Sequence, residues 1–263
     1  MFYNFDRVAD VYDRTRAIPP VATRTIAASI SAILRSKSER PRVLEIGVGS
    51  GRFSGPLSAA DLSVTGIDIS RDMLAILHRR APRVEAVRAE ATHLPFRPGS
   101  FDAVLFVQIL HLVPDIDAAI AAALTCLAPG GLMLELRTFS SPSPLEVVSA
   151  RISAERDRLV PPHRPSSRME MGSAALERAV LATGGEHHRG VIATWRETDT
   201  LRSLLQALEA RTYSATWVLS SDQALAVADC VREEAIAIAG GLDVVHASEM
   251  TMTLTVGRIG AIR

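Results

Sequence analysis

The sequence has few of the residue types that mark several large classes of protein. Its 263 residues include 2 cysteines, so a disulfide framework is excluded and a reducing, cytoplasmic compartment is expected. Its 29 basic and 29 acidic residues give no net charge, which argues against a nucleic-acid binder with a broad basic surface. The longest apolar run, residues 103–110, is too short for a membrane span, and the N-terminus lacks an apolar signal region.

What the sequence does contain is a repeated alternation of short apolar runs and helical patterns. Runs typical of strands occupy residues 42–46, 64–68, 84–87, 101–107 and 132–136. Strands that alternate with helices predict crossover connections and a parallel sheet. After residue 138 the pattern is less regular, and a strictly alternating run at 250–258 predicts a last strand.

A glycine-rich turn follows the first predicted strand and reads Glu-Ile-Gly-Val-Gly-Ser-Gly over residues 45–51. Glycines let the chain turn tightly and let a ligand approach bare backbone. Open parallel sheets bind ligands beyond the carboxyl ends of their strands, where this turn falls. Asp68 ends the next strand at a spacing of about 20 residues, which suits a carboxylate that accepts both hydroxyls of a ribose. Asp68 could equally cap the following helix.

Two nucleoside cofactors compete for such a turn. A nicotinamide dinucleotide favours G-x-G-x-x-G, whereas the spacing here is G-x-G-x-G with Arg52 next. The carboxylate of Glu45 would repel a pyrophosphate by about 4 kcal/mol at 4 Å and an effective dielectric near 20. It would favour a cation. The charge pattern therefore favours S-adenosylmethionine and disfavours a nicotinamide oxidoreductase.

Residues 43–138 resemble the class I S-adenosylmethionine-dependent methyltransferases, in the branch that includes the ubiquinone and menaquinone methyltransferases. The matching stretches occur in the family's order and are residues 43–51, 66–73, 89–96, 100–104 and 127–131. Residues 9–16 are similar to the N-terminal segment of that branch. With the strand pattern, the resemblance implies an α/β fold. Its parts are a Rossmann-like, mostly parallel seven-stranded sheet with helices on both faces, an antiparallel last strand and a helical substrate-covering insertion.

The resemblance also implies a division of the chain. The expected segments are an N-terminal helical cover for the cofactor, a cofactor-binding α/β core, a variable acceptor-site segment, a core helix and strand, a helical lid and a C-terminal core strand. Their bounds are 1–40, 41–138, 139–171, 172–196, 197–246 and 247–263.

The family implies cofactor contacts at matching positions of this sequence. The glycine turn, with Gly47 and Glu45 foremost, would receive the amino group and methionine portion. Asp68 would bind the ribose, and Gln108 would offer its backbone carbonyl to the amino group. The remaining positions are Gly49 and Gly51 in the turn, Ile69 and Met73 on the adenine, Glu90 and Ala91 at its edge, and Tyr12 and Arg16 closing over the cofactor. Glu90 stands where the family usually has Asp. Tyr12 and Arg16 could instead only pack the first helix on the surface.

Methyl transfer is an in-line displacement, so a general base is needed only for a protonated, weakly acidic acceptor. His111, just beyond the fourth strand, is the candidate base, and packing is its alternative. Trp195, Tyr213 and Trp217 could line an acceptor pocket or simply belong to a core. No HExxH motif or cysteine cluster predicts a metal. The arginine-rich residues 151–168 could attract an anionic acceptor or lie on a solvated helix.

The first functional hypothesis is an enzyme that methylates O, N or C of a small organic acceptor and releases S-adenosylhomocysteine. A tRNA or protein methyltransferase is the alternative within the enzymes, and the neutral charge counts against it. A non-catalytic S-adenosylmethionine-binding protein of the same fold is the alternative from another class. The sequence gives no indication of the oligomeric state.

Overall fold

The computed structural model describes residues 5, 6, 9, 18–36, 38–160 and 168–260. The chain divides into two compact units. Unit 1 comprises Met1–Thr138, Ser166–Ala193 and Met252–Arg263, and unit 2 comprises Phe139–Pro165 and Thr194–Thr251. The six-segment division is finer than this and stays a prediction.

Helices and strands alternate as far as residue 140, as the apolar runs indicate, except that the third and fourth of the described strands follow each other without a helix between them. The elements are α1 (Pro20–Arg35), β1 (Arg42–Ile46), α2 (Ser54–Ala59), β2 (Ser63–Asp68), α3 (Arg71–Arg80), β3 (Glu85–Arg88), β4 (Phe101–Val107), α4 (Ile116–Cys126), β5 (Leu127–Ser140), α5 (Pro144–Leu159), α6 (Arg168–Ala182), β6 (Glu186–Thr200), α7 (Leu201–Glu209), α8 (Ser221–Ala239) and β7 (Val245–Arg258). A short 3₁₀ turn, Ser214–Thr216, lies between α7 and α8.

The described strands form one seven-stranded sheet in the order β3-β2-β1-β4-β5-β7-β6. The pairs β2–β3, β1–β2, β1–β4 and β4–β5 are parallel. β7 is antiparallel to β5, because Ser141 N donates to Glu249 O at 2.8 Å while Ile259 N donates to Gly131 O at 3.1 Å. The mostly parallel sheet with an antiparallel last strand and flanking helices is thereby confirmed.

β5 begins earlier than the sequence pattern indicates. The apolar run predicts that the strand starts at residue 132, after a Pro-Gly-Gly turn at residues 129–131, but Leu127 already pairs with Phe101. The ladder shifts register between Phe101 and Ala103, and Gly130 has a φ of +69°. These residues thus form an irregularity inside the strand, and the left-handed backbone at Gly130 is one that glycine adopts at low cost.

Each unit has a hydrophobic core of its own. In unit 1, Leu44, Ile46, Phe106 and Met133 of the sheet pack with Leu176 of α6 and their neighbours. Continuous apolar runs such as 101–107 reflect strands buried on both faces. In unit 2, α5 and α7 pack on α8 around a core that includes Val148, Leu205 and Val227. Within the described ranges, no helix is long and apolar enough to cross a membrane.

Candidate functional site

Unit 1 has a cavity at the carboxyl ends of its central strands. Ile46, Asp68 and Val107, the last residues of β1, β2 and β4, all line it. Among the described lining residues there are two carboxylates, Asp68 and Glu90, and no lysine, arginine or histidine. The described lining residues are Phe5, Ile46, Gly47, Ile67, Asp68, Ile69, Met73, Ala89, Glu90, Ala91, Val107, Gln108, Ile109, Leu112, Val113 and Pro114. A cavity whose described lining is largely apolar, with two carboxylates as its charged groups, suits a cationic ligand that carries a flat apolar group.

The glycine turn after β1 closes one side of this cavity. The N–H groups of Gly47 and Val48 both donate to Ile67 O at 2.9 Å, which ties the turn to β2. Gly47 has a φ of +74°, and a Cβ there would lie 2.6 Å from Cγ1 of Ile109. Only glycine fits at this point. Gly49 and Gly51 also have positive φ but are not among the lining residues.

Asp68 is held by the backbone on both of its carboxylate oxygens. Oδ2 accepts from Gly49 N at 2.9 Å and Oδ1 accepts from Ser70 N at 2.8 Å. Burial raises the pKa of Asp68, and these hydrogen bonds act against the rise. The N-cap of α3 is Ser70, whose Oγ accepts from Met73 N at 3.1 Å, so Asp68 is not the cap. A carboxylate offers about four lone-pair sites, which leaves acceptor capacity for two ligand hydroxyls.

Two residues from the start of the chain reach the site, and sequence reasoning missed both. Phe5 lines the cavity. Asp6 accepts hydrogen bonds from the hydroxyl of Ser70 and, at 3.2 Å, from Asp72 N. The predicted N-terminal cover, residues 1–40, spans both positions, but nothing singled out these two residues, because isolated residues outside a periodic pattern do not indicate their contacts. Tyr12 and Arg16, predicted to close over the cofactor, lie outside the described residues.

Glu45 lies behind the glycine turn and is not among the residues that line the cavity. It is 2% exposed and accepts a hydrogen bond from the hydroxyl of Ser54, the first residue of α2. Burial raises the pKa of Glu45 to about 7. The Ser54 hydrogen bond and the positive charge of Arg52 oppose this rise, and Asp68 adds to it. Direct contact of Glu45 with a cofactor stays a prediction.

The predicted adenine-side residues come together on one wall. Ile69, Met73, Glu90 and Ala91 all line the cavity. Met73 is buried in α3, and the carbonyl of Ile69 accepts from Arg88 Nε at 3.1 Å. The carboxylate of Glu90 accepts from Thr92 Oγ1 at 2.7 Å, which fixes it within a tight turn. The wall therefore offers apolar surface with one anchored acceptor at its edge.

Gln108, the first residue after β4, lines the cavity with a strained backbone. Its φ is +49°, a left-handed value that non-glycine residues adopt at a cost of order 1–3 kcal/mol. Its amide Nε2 donates to Thr138 Oγ1 at 2.6 Å, and its N–H donates to Leu136 O at 3.2 Å. Both bonds hold the strained conformation at a site where the chain must turn.

The loop after Gln108 supplies four further lining residues that sequence reasoning missed, Ile109, Leu112, Val113 and Pro114. Apolar residues on an irregular loop have no periodicity that would have identified them. His111 belongs to the same loop, but its side chain is not among those that line the cavity. Its role as a general base stays a prediction.

The three predicted acceptor-pocket aromatics belong to unit 2. Trp195 of β6 donates from Nε1 to Glu197 Oε1 at 2.7 Å and lines a small pocket with Ser141 and Glu249. Trp217 donates from Nε1 to Arg211 O at 3.0 Å, and Tyr213 precedes the 3₁₀ turn with 38% of its surface exposed. Their role in acceptor binding stays a prediction.

In the part of the chain that the structure describes, no group of three or more His, Cys, Asp and Glu is placed to hold a metal ion.

Comparison with known proteins shows which family this sequence resembles. A family described as "Methyltransferase domain" matches residues 44–134. The chain is 31% identical to a demethylmenaquinone methyltransferase of Clavibacter sepedonicus over 208 residues, which are 77% of this chain and 79% of that protein. It is 33% identical to the demethylmenaquinone methyltransferase of Renibacterium salmoninarum, over 53% of this chain and 58% of that protein.

Solved structures show the same fold at low sequence identity. A protein of Bacillus halodurans assigned to the methyltransferases matches with a TM-score of 0.58 at 18% identity, over 89% of this chain and 99% of that chain. A protein of Anaeromyxobacter dehalogenans assigned to the type II methyltransferases matches with a TM-score of 0.54 at 18% identity, over 90% of this chain and 97% of that chain. The chain therefore belongs to the class I S-adenosylmethionine-dependent methyltransferases, in their quinone methyltransferase-like branch, and S-adenosylmethionine is its cofactor.

Proposed function

We propose that this methyltransferase acts on a small, quinone-like aromatic acceptor and that the cavity of unit 1 holds the cofactor. The single observation that carries the cofactor site is the charge of the cavity, which has two carboxylates and no basic side chain among its described lining residues. The described lining side chains would repel a pyrophosphate, whereas they would attract a sulfonium and an ammonium group. The names of the Clavibacter and Renibacterium relatives support the acceptor class.

In this proposal each wall of the cavity has a separate task. Asp68 binds the ribose hydroxyls with its remaining acceptor capacity, and the turn at Gly47 receives the methionine portion. Ile69 and Met73 cover the adenine, while Glu90 accepts from its amino group. S-adenosylmethionine supplies an activated methyl group, because a neutral thioether leaves when the methyl carbon is attacked.

The protein then contributes chiefly alignment and the exclusion of water. Correct alignment of two reactants can supply about 7 to 11 kcal/mol. His111 would remove the proton of a weakly acidic acceptor, a contribution of about 10² to 10⁴ in rate. Trp195, Tyr213 and Trp217 would bind the acceptor, so alanine at these positions should raise its KM.

A thermal-shift comparison tests the cofactor site. A ligand at 100 times its Kd stabilises the native state by about 2.7 kcal/mol. We expect S-adenosylhomocysteine to raise the Tm and NAD to leave it unchanged. Asp68→Ala should abolish the shift, and Asp229→Ala is the matched control because Asp229 lies exposed on α8, paired only with Arg232 at 3.5 Å. An undiminished shift in Asp68→Ala would remove Asp68 from the site, and a shift with NAD would reject the charge argument.

Turnover with labelled S-adenosylmethionine tests the acceptor class. We expect label in a prenylated naphthoquinol and none in a fatty acid, tRNA or bulk protein. Label in tRNA or protein alone would replace the proposal with the alternative class. His111→Ala should lower kcat by about 10² to 10⁴ on a weakly acidic acceptor. A wild-type rate in that variant would discard His111 as the base.

A further inference from the structure

Arg168 links α6 to the loop that forms one wall of the cavity. Its Nε donates to His111 O at 3.1 Å, and its Nη2 donates to Pro114 O at 2.7 Å and also to Val113 O. One guanidinium group thus binds three carbonyl oxygens within residues 111–114. The loop must curve around this group, and Leu112, Val113 and Pro114 of the same stretch line the cavity.

A second contact in unit 1 brings the same helix against the same loop. A Cβ on Gly172, one turn beyond Arg168, would lie 2.8 Å from Cβ of Leu110. Leu110 is buried in the core of unit 1. The helix therefore approaches the loop at a position where only glycine fits, which sets the distance that Arg168 spans.

The position of Arg168 is unfavourable for the helix itself. It is the first residue of α6, where the helix macrodipole favours negative side chains and disfavours a cation. Its three hydrogen bonds instead stabilise the loop. A charged donor forms stronger hydrogen bonds to carbonyls than a neutral one, and the planar fork of arginine can reach several acceptors at once. Lysine, a point charge on a flexible stem, cannot reproduce that geometry.

We propose that Arg168 is a positioning residue for the cofactor: it fixes residues 111–114 so that the side chains of Leu112, Val113 and Pro114 form the wall against which the cofactor packs. The sequence pattern had placed Arg168 in an arginine-rich stretch that could attract an anionic acceptor. The hydrogen bonds assign it to the cofactor side. This inference rests on the proposed cofactor site, but it concerns the order of the loop and can fail separately.

The test compares Arg168→Lys with Arg178→Lys. Arg178 is the matched control, because it lies on the same helix with 67% of its side chain exposed and pairs with Asp117 only at 3.7 Å. Isothermal titration with S-adenosylhomocysteine should give a Kd about tenfold higher for Arg168→Lys and within twofold of the wild type for Arg178→Lys. Amide hydrogen exchange at residues 109–113 should accelerate in Arg168→Lys alone. In turnover, the KM for S-adenosylmethionine should rise with little change in kcat.

The outcomes separate the two proposals. A wild-type protein that does not bind S-adenosylhomocysteine overturns the cofactor site. A wild-type protein that binds, with an Arg168→Lys variant of unchanged Kd or unchanged loop exchange, overturns only the positioning role. Should Arg168→Lys not fold, hydrogen exchange of the wild type decides. Residues 109–113 and the second turn of α6, residues 172–175, must then open together, and separate opening rates would reject the link.

Discussion

The buried carboxyl of Glu45 should make unit 1 less stable as the pH rises. Glu45 is a strand residue with 2% exposure, and its hydrogen bond comes from a neutral hydroxyl, that of Ser54. Burial raises its pKa from 4.5 to about 7. The folded state therefore holds the proton more tightly than the unfolded state does. Between these two pKa values the folded protein binds more protons, so its free energy of unfolding falls as the pH increases.

The magnitude follows from the difference between the two pKa values. About 2.5 pH units at about 1.4 kcal/mol each correspond to about 3 kcal/mol. The penalty is absent well below pH 4.5 and complete above pH 7, the limits set by the pKa of Glu45. From pH 5 to pH 8 the expected loss is about 2 to 3 kcal/mol, or on the order of 100-fold in the opening equilibrium. Glu45→Gln keeps the shape and removes the titration.

The two cysteines provide the assay. Cys126 is buried in the core of unit 1 and Cys230 is exposed on α8, so thiol labelling of Cys126 reports the opening of unit 1. Tryptophan fluorescence would not serve, because both tryptophans belong to unit 2. Wild type and Glu45→Gln are labelled at the same pH, which cancels the pH dependence of the thiol itself. Glu233→Gln, an exposed change on α8, is the control.

We expect the ratio of wild-type to variant labelling rates to rise on the order of 100-fold between pH 5 and pH 8, the span that the raised pKa of Glu45 predicts. A constant ratio would refute the reasoning, since it would mean that Glu45 titrates alike in the folded and unfolded states.

Three further changes have defined outcomes. Gly47→Ala puts a Cβ 2.6 Å from Ile109 at a φ of +74°. It should lower the free energy of unfolding of unit 1, measured by Cys126 labelling, by about 1–3 kcal/mol and weaken S-adenosylhomocysteine binding. Ser220→Ala removes the capping box of α8. It should lower the free energy of unfolding of unit 2, followed by tryptophan fluorescence, by about 1 kcal/mol without changing ligand affinity. Gln108→Gly relieves the φ of +49° and keeps the backbone carbonyl, so S-adenosylhomocysteine should still bind within about threefold; a complete loss would show that the side chain is required.

The first half of the fold could be predicted because burial on both faces leaves continuous apolar runs. β4 was predicted at its observed bounds, residues 101–107. The start of β5 could not be predicted. Residues 129–131 have the composition of a turn, yet the strand pairs with β4 on both sides of them and only shifts its register there. Residue types typical of turns indicate the local backbone conformation, but they do not show whether the residues on either side pair with another strand.

The position of Gly47 and Asp68 at the cavity could be predicted, because both follow from the rule that ligands bind beyond the carboxyl ends of parallel strands. Apolar wall residues such as Phe5 and Pro114 could not be, since nothing in their type distinguishes a cavity from a core. The alternation of β1 did contain an unused signal. Successive strand side chains point to opposite faces, so Glu45 and the cavity-lining Ile46 cannot face the same way.

The carboxylates that suit a cationic cofactor also destabilise the protein that has none bound. Burial raises the pKa of both Glu45 and Asp68, and Asp68 adds to the rise at Glu45. A bound cation would favour the ionised form of Glu45, so S-adenosylmethionine should release protons on binding below pH 7 and bind more tightly as the pH rises. Stability without ligand and affinity for the cation should then change in opposite directions with pH through these carboxyls. In calorimetry, Glu45→Gln should reduce both slopes together and leave the part that comes from Asp68, and a slope that stays unchanged would be assigned to a different group.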